Sequence, residues 1–108
     1  MLNKINEKDW KLYRERLPKW QEEYMTRLVT EYSEILNQDA KGSDRFWELE
    51  ERINSDKKKV GVVAEISRSL MAKNIASLMM EGAITYDDLD GFSEELVGRL
   101  HSQLDVYQ

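Results

Sequence analysis

The feature that most constrains this chain is a seam of positions spaced alternately three and four residues apart: Phe46, Leu49, Ile53, Lys57, Val60, Ala64, Ser67, Met71, Asn74 and Leu78. Such spacing returns to one face of an α-helix at every turn. From Val60 onward the apolar surface widens, because Val62, Val63, Ile66, Leu70, Ala72, Ile75, Ala76, Met79 and Met80 flank the seam. Only Glu65, Arg68, Ser69, Lys73 and Ser77 remain as a narrow polar strip. A helix that is apolar nearly all round must be covered on several sides, so residues 60–80 are expected to form a buried central helix. Gly82 is its natural stop.

The first half of the seam is less decided. Ser43 is a candidate N-cap with Asp44 in the first turn, and the register would carry one helix of nearly forty residues from there to Glu81. Against continuity stand a cap signal at Asn54-Ser55-Asp56, a lysine on the seam at 57, and Gly61, which costs about 1 kcal/mol relative to alanine. The unbroken register favours one helix, or one with a kink, over a break near Asn54.

The remaining segments read as packing partners. Asn6 followed by Glu7 and Asp9 is an N-cap with acids in the first turn, and Trp10, Tyr13 and Leu17 then share a face. Pro18 favours a break there, since proline is tolerated in the first turn of a new helix but disrupts the interior of an old one. Residues 19–36 form an amphipathic stripe through Trp20, Tyr24, Leu28, Tyr32 and Ile35, and residues 37–42 read as a loop. Thr85 and Asp88 resemble a capping box opening a last helix over residues 86–104, with fraying expected beyond. Five glycines and one proline are too few to punctuate a many-stranded sheet. The expected fold is all-α: one domain, residues 1–108, built as a small four- to five-helix antiparallel bundle around a central apolar helix.

The chain has no cysteine, which excludes disulfides, thiol catalysis and sulfur-ligated zinc. No window approaches the roughly eighteen apolar residues of a membrane span, and the first six residues lack a signal-peptide core, so no membrane association and a cytoplasmic location are expected. Asp87, Asp88, Asp90 and Gly91 fail as a calcium loop: in the register that puts Gly91 sixth, positions one and twelve fall on Tyr86 and Val97. The single histidine, His101, lies near a helix C-terminus, where a cation is favoured, and has no evident partner for general-base or metal chemistry. A carboxylate cluster of Glu48, Glu50, Glu51 and Glu65 lacks the Glu-x-x-His pairs of di-iron bundles. Neither an enzyme nor any cofactor or metal is expected.

Charge is banded. Residues 21–56 carry four bases against ten acids, residues 57–73 five against one, and residues 74–108 one against seven. Lys57, Lys58 and Lys59 either meet phosphates or simply keep an amphipathic segment soluble. A helix-turn-helix over residues 78–96 would offer five carboxylates to DNA and is set aside. Phe46 and Trp47 diverge by about 100° on a helix, so both cannot lie in one seam. Either a neighbouring helix covers Trp47, or it projects among Asp44, Arg45, Glu48 and Glu51 as an anchor ringed by polar groups.

These residues support a non-enzymatic interaction module or regulator that presents helical faces to a protein partner or to its own copy. Asp44, Arg45, Trp47, Glu48, Glu51 and Lys57, Lys58, Lys59 are the candidate contacts. The alternative is an acidic inhibitor of a nucleic-acid-binding protein, which would occupy a basic groove as a DNA mimic. That build is similar to small acidic proteins of phages and mobile elements, CRISPR-nuclease inhibitors among them, though no motif carries residues over. Direct nucleic-acid binding through the three lysines is disfavoured by the net charge of −5.

Overall fold

A computed structural model describes residues 5–105, which are mostly helical with no strand among them. The fraying expected at the C-terminus concerns residues outside this range, apart from Asp105. The elements are α1 (Glu7–Asn37), α2 (Gly42–Asp56), α3 (Val60–Val63), α4 (Met71–Met80), a 3₁₀ turn at Tyr86–Leu89, and α5 (Glu94–Asp105).

α1 organises the molecule. It begins where the sequence places its cap: the Asn6 side chain accepts from the amides of Lys8 and Asp9, at 2.9 and 3.2 Å. The break expected at Pro18 does not occur, and one helix of 31 residues runs through it. A proline inside a helix removes one hydrogen bond and crowds the carbonyl four residues back, at a cost of about 3 kcal/mol. Here Pro18 is exposed, so water can reach that carbonyl, while Tyr13, Leu17, Trp20, Tyr24, Leu28 and Ile35 are buried along one unbroken stripe. Each such side chain contributes about 1.5–3 kcal/mol on burial, and the stripe outweighs the proline.

The single helix expected over residues 60–80 does not form, and neither does continuity from residue 43. α2 ends at Asp56, α3 lasts one turn, and residues 64–70 cross to α4 without regular structure. Three contacts to other elements explain the interruption. Gln21 Nε2 donates to the Ala64 carbonyl at 2.8 Å, the Tyr13 hydroxyl approaches the Glu65 carbonyl at 3.5 Å, and Asn74 Nδ2, which donates to the Tyr13 oxygen at 3.0 Å, approaches the same Glu65 carbonyl at 3.5 Å. Carbonyls that a helix would have used internally are bound instead to α1. Val60, Val62, Val63 and Ile66 are also β-branched, which weakens helix locally.

Gly61 has a specific task in this arrangement. A Cβ at that position would lie 2.5 and 2.7 Å from ring carbons of Tyr24, so α3 can sit on α1 only because the residue has no side chain. Both α3 amides at its start, those of Val60 and Gly61, donate to the Glu81 carboxylate at 2.9 and 3.0 Å. Glu81 thus caps a helix twenty residues away and satisfies two of its orphan donors.

α4 ends in a Schellman motif at Gly82, whose φ is +78°. The Ala83 amide donates to the Leu78 carbonyl and the Gly82 amide to the Met79 carbonyl. Arg27 reaches over from α1 to bind the Gly82 and Ala83 carbonyls, both at 3.0 Å. The Thr85–Asp88 box forms, but it opens the 3₁₀ turn rather than a long helix. α5 starts later, at Glu94, with the Ser93 hydroxyl capping the Leu96 amide at 3.2 Å.

The core gathers at the N-terminal half of α1, where Tyr13, Leu17 and Trp20 meet Met71, Ile75 and Leu78 of α4, then Ile84, Leu89 and Phe92, and Leu96, Leu100 and Leu104 of α5. α2 packs on the C-terminal half of α1. The molecule is therefore elongated, 57 × 28 × 24 Å, with a compact end and a two-helix arm.

Candidate functional site

The arm is an antiparallel hairpin of the C-terminal half of α1 and α2, pinned by polar contacts along its length. At the tip, Arg45 Nη1 donates to the Leu36 carbonyl at 2.7 Å and Gln38 Nε2 to Glu48 Oε2 at 3.2 Å. Near its base, Asp56 is 2% exposed and gathers three partners. The Tyr32 hydroxyl donates to it at 2.6 Å, Lys59 Nζ lies 3.0 Å away, and Arg52 bridges from Asp56 at 3.6 Å to Glu31 at 2.8 Å.

The acid–base balance of this cluster follows from those distances. Burial alone would raise the Asp56 carboxyl, but hydrogen bonds from Tyr32 and Lys59, with the charges of Lys59 and Arg52, hold it below its ordinary value. Burial, followed by the bond to the Asp56 carboxylate, pushes the Tyr32 hydroxyl up to about 12. A carboxylate in the last turn of a helix meets the negative end of the macrodipole, so Asp56 needs these compensating donors to be buried there. The cluster ties α2 to α1 in one register.

The residues singled out from the sequence divide into three groups. Asp44, Trp47, Glu48 and Glu51 recur at helical spacing on the outward side of α2, and all four are exposed. Arg45 is turned inward against α1 and acts as a pin of the hairpin instead of standing outward with them. Lys57 and Lys58 are exposed in the turn after α2, whereas Lys59 is paired with Asp56.

Trp47 is 59% exposed, so no neighbouring helix covers it. Phe46, expected in a buried seam, is 61% exposed as well, and the two rings meet edge to face with centroids 4.9 Å apart. The inward face of α2 is instead Arg45, Leu49, Arg52 and Asp56, three of them charged, which is why the apolar seam did not mark it. Ile53 on α2 and Met25, Val29 and Leu36 on α1 are also exposed. With about 100° per residue, Met25, Val29 and Leu36 lie to one side of the buried stripe of α1, and Phe46 and Ile53 lie to the same side of α2 in an antiparallel pair. The arm therefore carries a continuous apolar flank, with Trp47 at its outer edge. Nothing in the seam pattern separates these side chains from core residues; the missing signal was that no third helix covers this flank among the described residues.

A cleft of about 350 Å³ lies at the compact end among Asn6, Asp9, Arg68, Ser93, Leu96 and Arg99. Its buried carboxylate, Asp9, is already bound: the Ser93 amide donates to Oδ1 at 2.7 Å and the Ser93 hydroxyl to Oδ2 at 2.6 Å. Arg68 pairs with Glu7 and lies 5.6 Å over the Trp10 ring. His101 stacks on Tyr86 with centroids 4.1 Å apart. Among the described residues no group of three or more His, Cys, Asp or Glu side chains is placed to hold a metal ion. No described helix is long and apolar enough to cross a membrane.

No protein-family model, no curated protein sequence and no solved structure matches the chain.

Proposed function

We propose that this chain is a non-enzymatic protein-interaction module whose working surface is the α1–α2 arm. The observation that carries this reading is the pair Phe46 and Trp47, both more than half exposed and in contact with each other on the helix that pairs with α1 to form the arm. Aromatic side chains in contact at a surface, bordered by polar groups that can exclude water, are the usual composition of a binding hot spot. Asp44, Glu48 and Glu51 supply that border on the outward side of α2. The compact end, with α4 as the axle of a small bundle against α1 and α5, is the scaffold that holds the arm out.

The acidic stripe beside Trp47 favours a second reading, in which the same face of α2 enters a basic groove on a nucleic-acid-binding protein. The two readings differ in salt dependence, since contacts between exposed charges weaken as salt screens them and apolar contacts do not. Affinity capture from source cells, read by mass spectrometry, tests both. Trp47→Ala should lose the captured partner while helicity and melting temperature stay unchanged. Capture of the same partner at the same level by Trp47→Ala would sink the proposal.

A further inference from the structure

We infer that the occupant of the arm's apolar flank is a second copy of this chain, so that two hairpins pair into a four-helix bundle. The inference rests on the reading of the arm as an interaction surface and names its partner. Met25, Val29, Leu36, Phe46, Trp47 and Ile53 are between 41% and 62% exposed. Taking about 150–250 Å² for a full large side chain, they leave on the order of 600 Å² of apolar surface open per copy. Largest apolar patches on monomers reach about 300–600 Å², and a stable interface covers about 800 Å² per partner. The open apolar surface stands at the upper end of what monomers expose, and the exposed rim residues Glu22, Glu50 and Lys57 extend it toward the second figure.

Three further features select a copy over a foreign protein. A two-helix hairpin is half of a four-helix bundle, and burying one flank of each of two hairpins completes the layer that a lone pair lacks. A two-fold dimer requires a patch that is complementary to itself, and an uncharged apolar flank meets that requirement. The charges are also sorted accordingly. By helical register Glu23, Glu31 and Glu34 of α1 and Glu48 of α2 lie away from the flank, Asp44 and Glu51 stand beyond its outer edge next to Trp47, and its charged rim is Glu22, Glu50 and Lys57. Two chains of net charge −5 can approach through this flank without setting acidic stripe against acidic stripe.

The test is the solution mass of the full chain by multi-angle light scattering, from about 1 µM to about 1 mM. The mass should rise from 12.8 kDa toward twice that value. Val29→Glu, at a position 62% exposed and therefore tolerant of charge, should weaken the association at least tenfold with helicity intact. Ile53→Ser provides a second, uncharged lesion with the same expectation, and Glu34→Gln on the far side of α1 should change nothing. Raising sodium chloride to about 0.5 M should leave the dimer intact, as apolar contacts are not screened. A mass that stays monomeric across the series overturns the inference, and so does a dimer that Val29→Glu leaves undiminished or that salt dissolves. A monomer that still captures a foreign protein through Trp47 would remove the self-pairing while leaving the proposed function standing. A dimer whose cellular capture ignores Trp47 would do the reverse.

Discussion

The substitution Gly61→Ala sets two known effects against each other at one residue. In an exposed helix interior, alanine is favoured over glycine by about 1 kcal/mol. At Gly61 the new methyl would stand 2.5 and 2.7 Å from Cδ2 and Cε2 of Tyr24 and 3.2 Å from Cγ. That ring is itself 5% exposed, with the Arg27 guanidinium 5.4 Å from its centroid, so it has little room to move away. Forcing a methyl into a packed contact costs about 1–3 kcal/mol. Subtracting the propensity gain leaves a net loss of up to about 2 kcal/mol, or a melting point lowered by up to roughly 10 °C at this chain length. Gly98→Ala is the matched control: it lies within α5 and its Cβ would meet nothing within 4 Å. It should therefore raise the melting point by several degrees. Thermal melts followed by circular dichroism read both, and Tyr24→Leu in the Gly61→Ala background should recover part of the loss, which a double-mutant cycle measures. If Gly61→Ala melts at or above the parent while Gly98→Ala rises, α3 does not rest on the Tyr24 ring and the account of the broken helix fails.

Other perturbations probe separate joints. Pro18→Ala restores a backbone donor inside α1 without touching the core, and should stabilise by up to about 3 kcal/mol in a denaturant melt. Glu81→Ala removes the shared cap of α3, so the Val60 and Gly61 amides should exchange faster with solvent deuterium while those in the middle of α5 are unchanged. The Asp56 carboxyl is held below its ordinary value when folded, so its stabilising contribution is complete above about pH 4 and is lost as the pH falls through the folded value. Asp56→Asn should flatten that acid limb in melts at stepped pH and lower stability at neutral pH by about 1–3 kcal/mol. The Tyr32 hydroxyl, raised to about 12, contributes in the opposite direction: its share is present below about pH 10 and is lost as the pH rises toward 12. Ultraviolet titration should lose one late-ionising phenol in Tyr32→Phe.

What the sequence makes legible here is what local chemistry decides. Asn6 caps α1, Gly82 stops α4 in the positive-φ conformation that favours glycine, and Thr85 with Asp88 closes a box, each at the position its side chain dictates. What it hides depends on distant partners. Pro18 reads as a break because the cost is local while the compensation, the stripe from Tyr13 to Ile35, is assembled by other segments. Residues 64–70 keep helical periodicity, yet Gln21, Tyr13 and Asn74 divert their carbonyls. Asp56 mimics an N-cap in sequence and proves to be the buried last residue of α2, a role visible only once Tyr32, Arg52 and Lys59 are placed around it. At the candidate site, the divergence of Phe46 and Trp47 signals that one ring must leave the seam. That both are exposed follows from the polar inward face of α2, which no hydrophobic pattern reports.

The claim on which the functional reading stands is that the flank and outer side of the arm support no part of the fold. The melt of a Phe46→Ser/Trp47→Ser double variant, taken at a concentration low enough to keep the chain monomeric, tests it most directly. Substitutions at exposed positions change stability by about 0.5 kcal/mol or less each, so the double variant should unfold within about 1 kcal/mol of the parent. A loss of about 3–5 kcal/mol for either ring, the cost of emptying a core aromatic site, would show that these side chains hold the arm together and leave it no surface to offer.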